Sequence, residues 1–173
     1  MSADDTHSRF SVRISCSDDS HGVTELLQAS YSSLFGPAYS TDVLSQALPV
    51  IARANPRLLE SDAFFVAEAD RGQIVGCGGW SLDYPGTEEV AGTGHVRHFA
   101  THPDWLRRGI GRALLSKTMS QATDRGIRAL ECQSSLVAVE FYRSQGFSVV
   151  EQSTLHLMPG LVIPSVHMRR SIA

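Results

Sequence analysis

Cysteine is scarce and unpatterned: Cys16, Cys77 and Cys132 are the only three, and none forms a CxxC pair. That excludes a disulfide framework or a zinc ribbon and fits the reduced thiols of a cytoplasmic protein. Long apolar runs are missing too, none approaching the roughly 20 residues of a membrane span. The polar, acidic start from Met1 to His7 lacks the positive charge and apolar stretch of a signal peptide. Excess positive charge is also absent. A formal net charge of -3 argues against a protein that coats nucleic acid. Repeats and low-complexity tracts do not occur, and His7, His21, His95, His102, His156 and His167 show no ligand spacing, so no metal is expected.

What is present suits a globular chain. A length of 173 residues with 42% hydrophobic content can build one core. Residues 1–8 are expected to form a flexible tail and residues 9–173 one domain. Phe10 to Ser15 alternates as a half-buried strand does. Val23, Leu26, Leu27 and Tyr31 recur at helical spacing, and Gly36-Pro37 breaks the chain after them. Thr41 or Asp42 caps a second helix, which Pro49 should kink or divide. Ala63–Glu68 and Gln73–Trp80 read as strands joined by the turn Asp70-Arg71-Gly72, hence an antiparallel hairpin. A loop from Ser81 to Gly94 leads to a strand from His95 to Thr101. Then come a helix after Gly109 that stops at Gly126, a buried strand Ile127–Cys132, a short helix Leu136–Ser144 and two last strands, Phe147–Leu157 and Val162–Ile172. That order describes a mixed α/β chain.

The segment His98 to Leu115 carries the chemistry. A strand ends, Arg107-Arg108-Gly109-Ile110-Gly111-Arg112-Ala113 follows, and a helix begins. A helix start has unpaired N–H groups, glycine lets a phosphate approach the backbone, and the dipole favours an anion. The dipole contributes only about 0.3–2 kcal/mol, so several N–H bonds must act together, with Arg107, Arg108 and Arg112 adding charge-assisted ones. No Gly-Lys-Ser/Thr follows, so this is not a Walker loop. The third glycine of a dinucleotide fingerprint is replaced by Leu114. A nucleotide-binding fold is further disfavoured by the antiparallel hairpin.

A second segment, Ser134-Ser135-Leu136-Val137-Ala138-Val139-Glu140-Phe141-Tyr142-Arg143-Ser144-Gln145-Gly146-Phe147, follows a strand and ends in Gly-Phe. Together the two resemble the GCN5-related N-acetyltransferase (GNAT) family. Its phosphate motif runs Arg/Gln-x-x-Gly-x-Gly/Ala, and its next motif runs roughly Asn-x-x-Ala-x-x-Phe-Tyr-x-x-x-Gly-Phe. The element order matches from about Ser11 to Ile172. Leu106 stands where the family has Arg or Gln, and Ser135 where it commonly has Asn.

The resemblance implies a mostly antiparallel sheet with flanking helices, and two parallel strands that splay apart. Acetyl-CoA is the implied co-substrate. Its pantetheine would lie along Phe99, Ala100 and Thr101, its pyrophosphate on Arg107 to Ala113, and Ser135 would bond to pantetheine or backbone. A primary amine would attack the thioester directly, with a backbone N–H near Ala100 stabilising the oxyanion. Tyr142 falls on the tyrosine position that protonates the leaving thiolate. Glu131 and His98 are the candidate bases. Trp80, Asp83 and Tyr84 are candidates for the acceptor pocket. The implied partners are acetyl-CoA and an amine, with no nucleic acid and no membrane; a homodimer stays open. The alternative is a non-catalytic domain that senses acyl-CoA.

Overall fold

The computed structural model describes residues 9–173; the expected tail at 1–8, with His7, lies outside them. Seven strands form one sheet in the order β1-β2-β3-β4-β5-β7-β6. They are β1 Phe10–Ile14, β2 Phe64–Ala69, β3 Ile74–Ser81, β4 Thr93–Thr101, β5 Ala129–Ser134, β6 Ser148–Met158 and β7 Leu161–Ser171. Every neighbouring pair is antiparallel except β4 and β5. The helices are α1 Ser20–Leu34, α2 Thr41–Ile51, α3 Pro56–Leu59, α4 Ile110–Asp124 and α5 Val139–Ser144. Among the described residues no helix is long and apolar enough to cross a membrane.

Burial patterns explain the layering. β2 and β3 are buried on both faces. On one face Val23, Leu26 and Leu27 of α1 pack on Val66 and Cys77. On the other, Ile110 and Leu114 of α4 pack on Phe65, Ala67 and Val75. Each such leucine contributes about 1.5–3 kcal/mol by leaving water, which holds both helices to the sheet.

Three local expectations shift. Pro49 does not divide α2, which runs on to Ile51. The proline sits in the last turn, where only Val50 and Ile51 follow it, so little helix is left to disrupt. α3 went unread, although Asn55 caps it by accepting from the Arg57 N–H at 3.0 Å and Pro56 opens it. β5 and α5 begin later than the sequence pattern places them. Gly92 O takes the N–H groups of Arg128 and Ala129, and residues 135–138 form a turn.

Candidate active site

β4 and β5 pair only at Thr93↔Ala129, Gly94↔Leu130 and His95↔Glu131. β4 then runs on to Thr101 and β5 to Ser134, unpaired with each other. A gap opens in mid-sheet with backbone donors and acceptors on its walls.

A bulge in β4 drives the divergence. Cys77 pairs with Ala100 and Gly79 with Arg97, so Gly78 alone faces both His98 and Phe99. His98 has φ 49, the left-handed conformation that the first residue of such a bulge needs. Histidine is among the residues tolerated there, and the Cys77 thiol anchors the turn by donating to His98 O at 3.1 Å. A side chain on Gly78 would come within 2.5 Å of the Phe99 ring. Gly78 therefore makes room for the bulge beside it. The Ala100 amide lies against the Cys77 thiol. Ladder alternation then turns the amides of Phe99 and Thr101 towards the gap.

A cleft of about 830 Å³ runs through this gap. His98, Phe99, Ser135 and Tyr142 line it, as do Arg97, Gln133 and Tyr84. Burial pushes the His98 pKa down to about 4, helped by the nearby Arg97 charge. The ring is therefore neutral at pH 7 and a feeble base. Tyr142 is buried at 6% exposure. Phe99, Phe141 and Phe147 surround its ring at centroid distances of 6.4, 5.2 and 5.4 Å. Its hydroxyl has no hydrogen-bond partner among the described residues. Burial, then the neighbouring Cys132 thiol, raise its pKa well above the ordinary value, so the phenol keeps its proton.

The second element is the start of α4. Gly109 caps it with φ 82, and Arg107 has φ 63. The first helical donor in use is Ala113 N–H, which bonds to Gly109 O at 2.9 Å. Among the described residues, the amides of Arg107, Arg108, Gly109, Ile110, Gly111 and Arg112 have no acceptor. Apart from the Ile110 side chain, this stretch faces solvent or is partly exposed. Six successive free N–H groups at a helix start, three arginines among them, form an anion-binding nest. Arg108 is steadied by the Trp105 ring at 4.8 Å. Gly111 has a further reason to be glycine: a Cβ there would touch the Phe141 ring at 3.0 Å.

Other expected site residues land elsewhere. Glu131 is not in the cleft wall. It sits at the zipped end of the two strands, 3.1 Å from His167 Nε2 and paired with Arg169. Burial alone would raise its pKa, but the hydrogen bonds from Arg169 and His167 outweigh it and hold the carboxyl below its ordinary value. That makes Glu131 a structural clamp rather than a free base. Trp80 turns into the core, its indole N–H donating to Gln121 Oε1 on α4 at 3.0 Å. Asp83 is exposed and offers only its carbonyl, which accepts from Ser81 Oγ at 2.7 Å and from Arg97 at 3.2 Å. Tyr84 does line the cleft. Among the described residues no group of His, Cys, Asp and Glu could hold a metal ion.

Two contributors escaped the sequence reading. Arg97 lies in a strand pattern that gave no hint of its exposure to a cleft. Tyr39 fixes the β5–α5 turn by accepting the Leu136 N–H and donating to Pro164 O, both at 2.9 Å. That contact spans 97 residues of chain, so no local signal could reveal it.

Comparison with known proteins agrees with this geometry. The family model described as "Acetyltransferase (GNAT) domain" matches residues 60–149. An uncharacterized N-acetyltransferase of Methanocaldococcus jannaschii is 32% identical over 95 residues, 53% of this chain and 42% of its own. An aminoglycoside N(6')-acetyltransferase type 1 of Stenotrophomonas maltophilia is 31% identical over 102 residues, 56% of this chain and 67% of its own. The chain thus spans about two fifths to two thirds of those relatives' lengths. Among solved structures, the PaiA N-acetyltransferase of Thermoplasma acidophilum in complex with coenzyme A is similar in fold. Its TM-score is 0.67 at 17% identity, over 94% of this chain and 99% of that one.

Proposed function

Since this chain belongs to the GNAT acetyltransferase family, we propose that it moves an acetyl group from acetyl-CoA to a primary amine by direct attack. The observation that carries the proposal is the unpaired stretch of β4 and β5, with the free amides at the start of α4 on the same chain.

The six amides and Arg107, Arg108 and Arg112 hold the pyrophosphate. They suit it because a diphosphate needs many donors at once and nothing among the described residues uses these. Pantetheine lies along β4, bonding to the gap-facing amides of Phe99 and Thr101, with Ser135 on the opposite wall. The amine enters from the side of Tyr84 and Arg97 and attacks the thioester carbonyl carbon. A gap-facing amide of β4 steadies the oxyanion. The carbon–sulfur bond breaks, and Tyr142, still protonated, donates a hydrogen bond to the departing thiolate, which then takes a proton from cleft water. The amide product releases the proton of the attacking nitrogen to cleft water. His98, with a pKa of about 4, is too weak to hold it, and Glu131 is already engaged. A lysine-like amine costs about 4–5 kcal/mol to neutralise at pH 7, so the rate should climb with pH as neutral amine accumulates. The three free thiols support a cytoplasmic setting.

The test is calorimetric binding of acetyl-CoA followed by thiol release across a panel of amines. Binding with thiol release establishes the transferase. Binding without release from any amine returns the acyl-CoA-sensing alternative, and no binding removes both.

A further inference from the structure

Among the described residues the cleft lacks acidic groups: no Asp or Glu lines it, and Arg97 is its one Arg or Lys. A pocket built for a polyamine or an aminoglycoside needs carboxylates to offset several ammonium groups. This one would repel such a ligand.

Arg97 is held ready rather than used up. Its Nη1 donates to Ser81 Oγ at 2.8 Å and to Asp83 O at 3.2 Å. The guanidinium stacks on the Tyr84 ring at 5.3 Å. Among the described residues no carboxylate forms an ion pair with it, and its Nε and Nη2 have no acceptor. The exposed Asp83 carboxylate and Arg57 act on it only at longer range. Burial lowers its pKa first of all, as expected for a cation with too few partners. The free edge, Nε with Nη2, is a fork that matches the two oxygens of a carboxylate.

The remaining wall supplies the other half of the ligand. Tyr31 of α1 and Phe35 just after it stack at 4.6 Å, and with Ile51 of α2 and Ile163 of β7 they form an apolar surface of the same cleft. Such a lining rewards a hydrocarbon or aromatic body.

Resting on the acetyltransferase reading above, we propose that the acceptor is a small amine that also carries a carboxylate, namely an amino acid with an apolar side chain. Arg97 binds the carboxylate, Phe35 and Ile51 receive the side chain, and the amine faces the thioester beside Phe99. The substrate class thereby departs from that in the name of the aminoglycoside-acetylating relative.

The test compares, on the unaltered protein, L-phenylalanine and L-leucine with their carboxamides, their decarboxylated amines and kanamycin, reading thiol release from acetyl-CoA. The acids should show kcat/KM about 10- to 100-fold above their matched amines. Arg97→Gln should raise KM for the acids by a similar factor, so that the preference for acids over their matched decarboxylated amines collapses. Arg97→Lys should recover part of the loss. Amines or kanamycin used as well as the acids, or a preference for acids that survives Arg97→Gln, overturns the inference and leaves the transferase standing. Acetyl-CoA binding with no release from any compound overturns the catalytic reading and this inference with it.

Discussion

Replacing Tyr142 by Phe removes one oxygen from the cleft and nothing else. The ring contacts to Phe99, Phe141 and Phe147 stay. The hydroxyl has no partner among the described residues, so its loss strands no buried donor or acceptor. Stability should therefore change by no more than about 0.5 kcal/mol, and acetyl-CoA affinity by less than about twofold. The reaction should suffer much more. A hydrogen bond to a charged group is worth about 1.5–3 kcal/mol, and the sulfur becomes charged only as the carbon–sulfur bond breaks. Converted at 1.36 kcal/mol per decade, kcat should fall about 10- to 150-fold. Because burial keeps the phenol protonated, the wild-type rate should show no descending limb from ionisation of Tyr142, and the variant should keep the same pH profile at a lower level. Thiol release under saturating acetyl-CoA, with a melting curve and a binding isotherm on the same sample, separates these quantities. A kcat within twofold of wild type refutes the role, and a large drop in melting temperature refutes the packing argument.

Arg112→Glu should act oppositely on two observables. A carboxylate at a helix start favours the helix dipole, raising stability by about 0.3–1 kcal/mol, while acetyl-CoA affinity measured by calorimetry should fall about tenfold, less so in high salt. Gly79→Ala should cost about 3 kcal/mol or more by urea unfolding, because the new Cβ would meet Ala63 O at 2.2 Å and Phe64 Cα at 2.7 Å, both backbone. Gly36→Ala, with nothing within 4 Å, should be nearly neutral. His98 has a folded pKa of about 4, below the ordinary 6.5. Between those values the unfolded chain takes up a proton that the folded chain refuses, so stability falls as pH drops from about 6.5 to 4, by up to about 3 kcal/mol. His98→Asn, which tolerates the left-handed backbone, should flatten that part of the urea midpoint against pH.

Much of the fold was legible because its signals are local. Alternation marked β1, helical spacing marked α1 and α4, and Asp70-Arg71-Gly72 marked the hairpin, since each depends on residues a few positions apart. The run of free amides was legible for the same reason. Free amides at a helix start follow from Gly109, the chain turn and the helix after it, whatever the rest of the protein does. The Phe-Tyr and Gly-Phe pairs around Tyr142 are likewise a short-range pattern.

Three-dimensional packing settled the rest. Whether Glu131 faced a substrate or a clamp depended on the register of three strands, and a shift of one residue reverses the face. The bulge at His98 exists because Gly78 admits the Phe99 ring and Cys77 holds the turn, contacts made across strands. Arg97 became a candidate carboxylate receptor only when helices from the first third of the chain and strands from the last closed a wall without Asp or Glu around it. Such properties belong to distances through space, and a linear string of residues does not contain them.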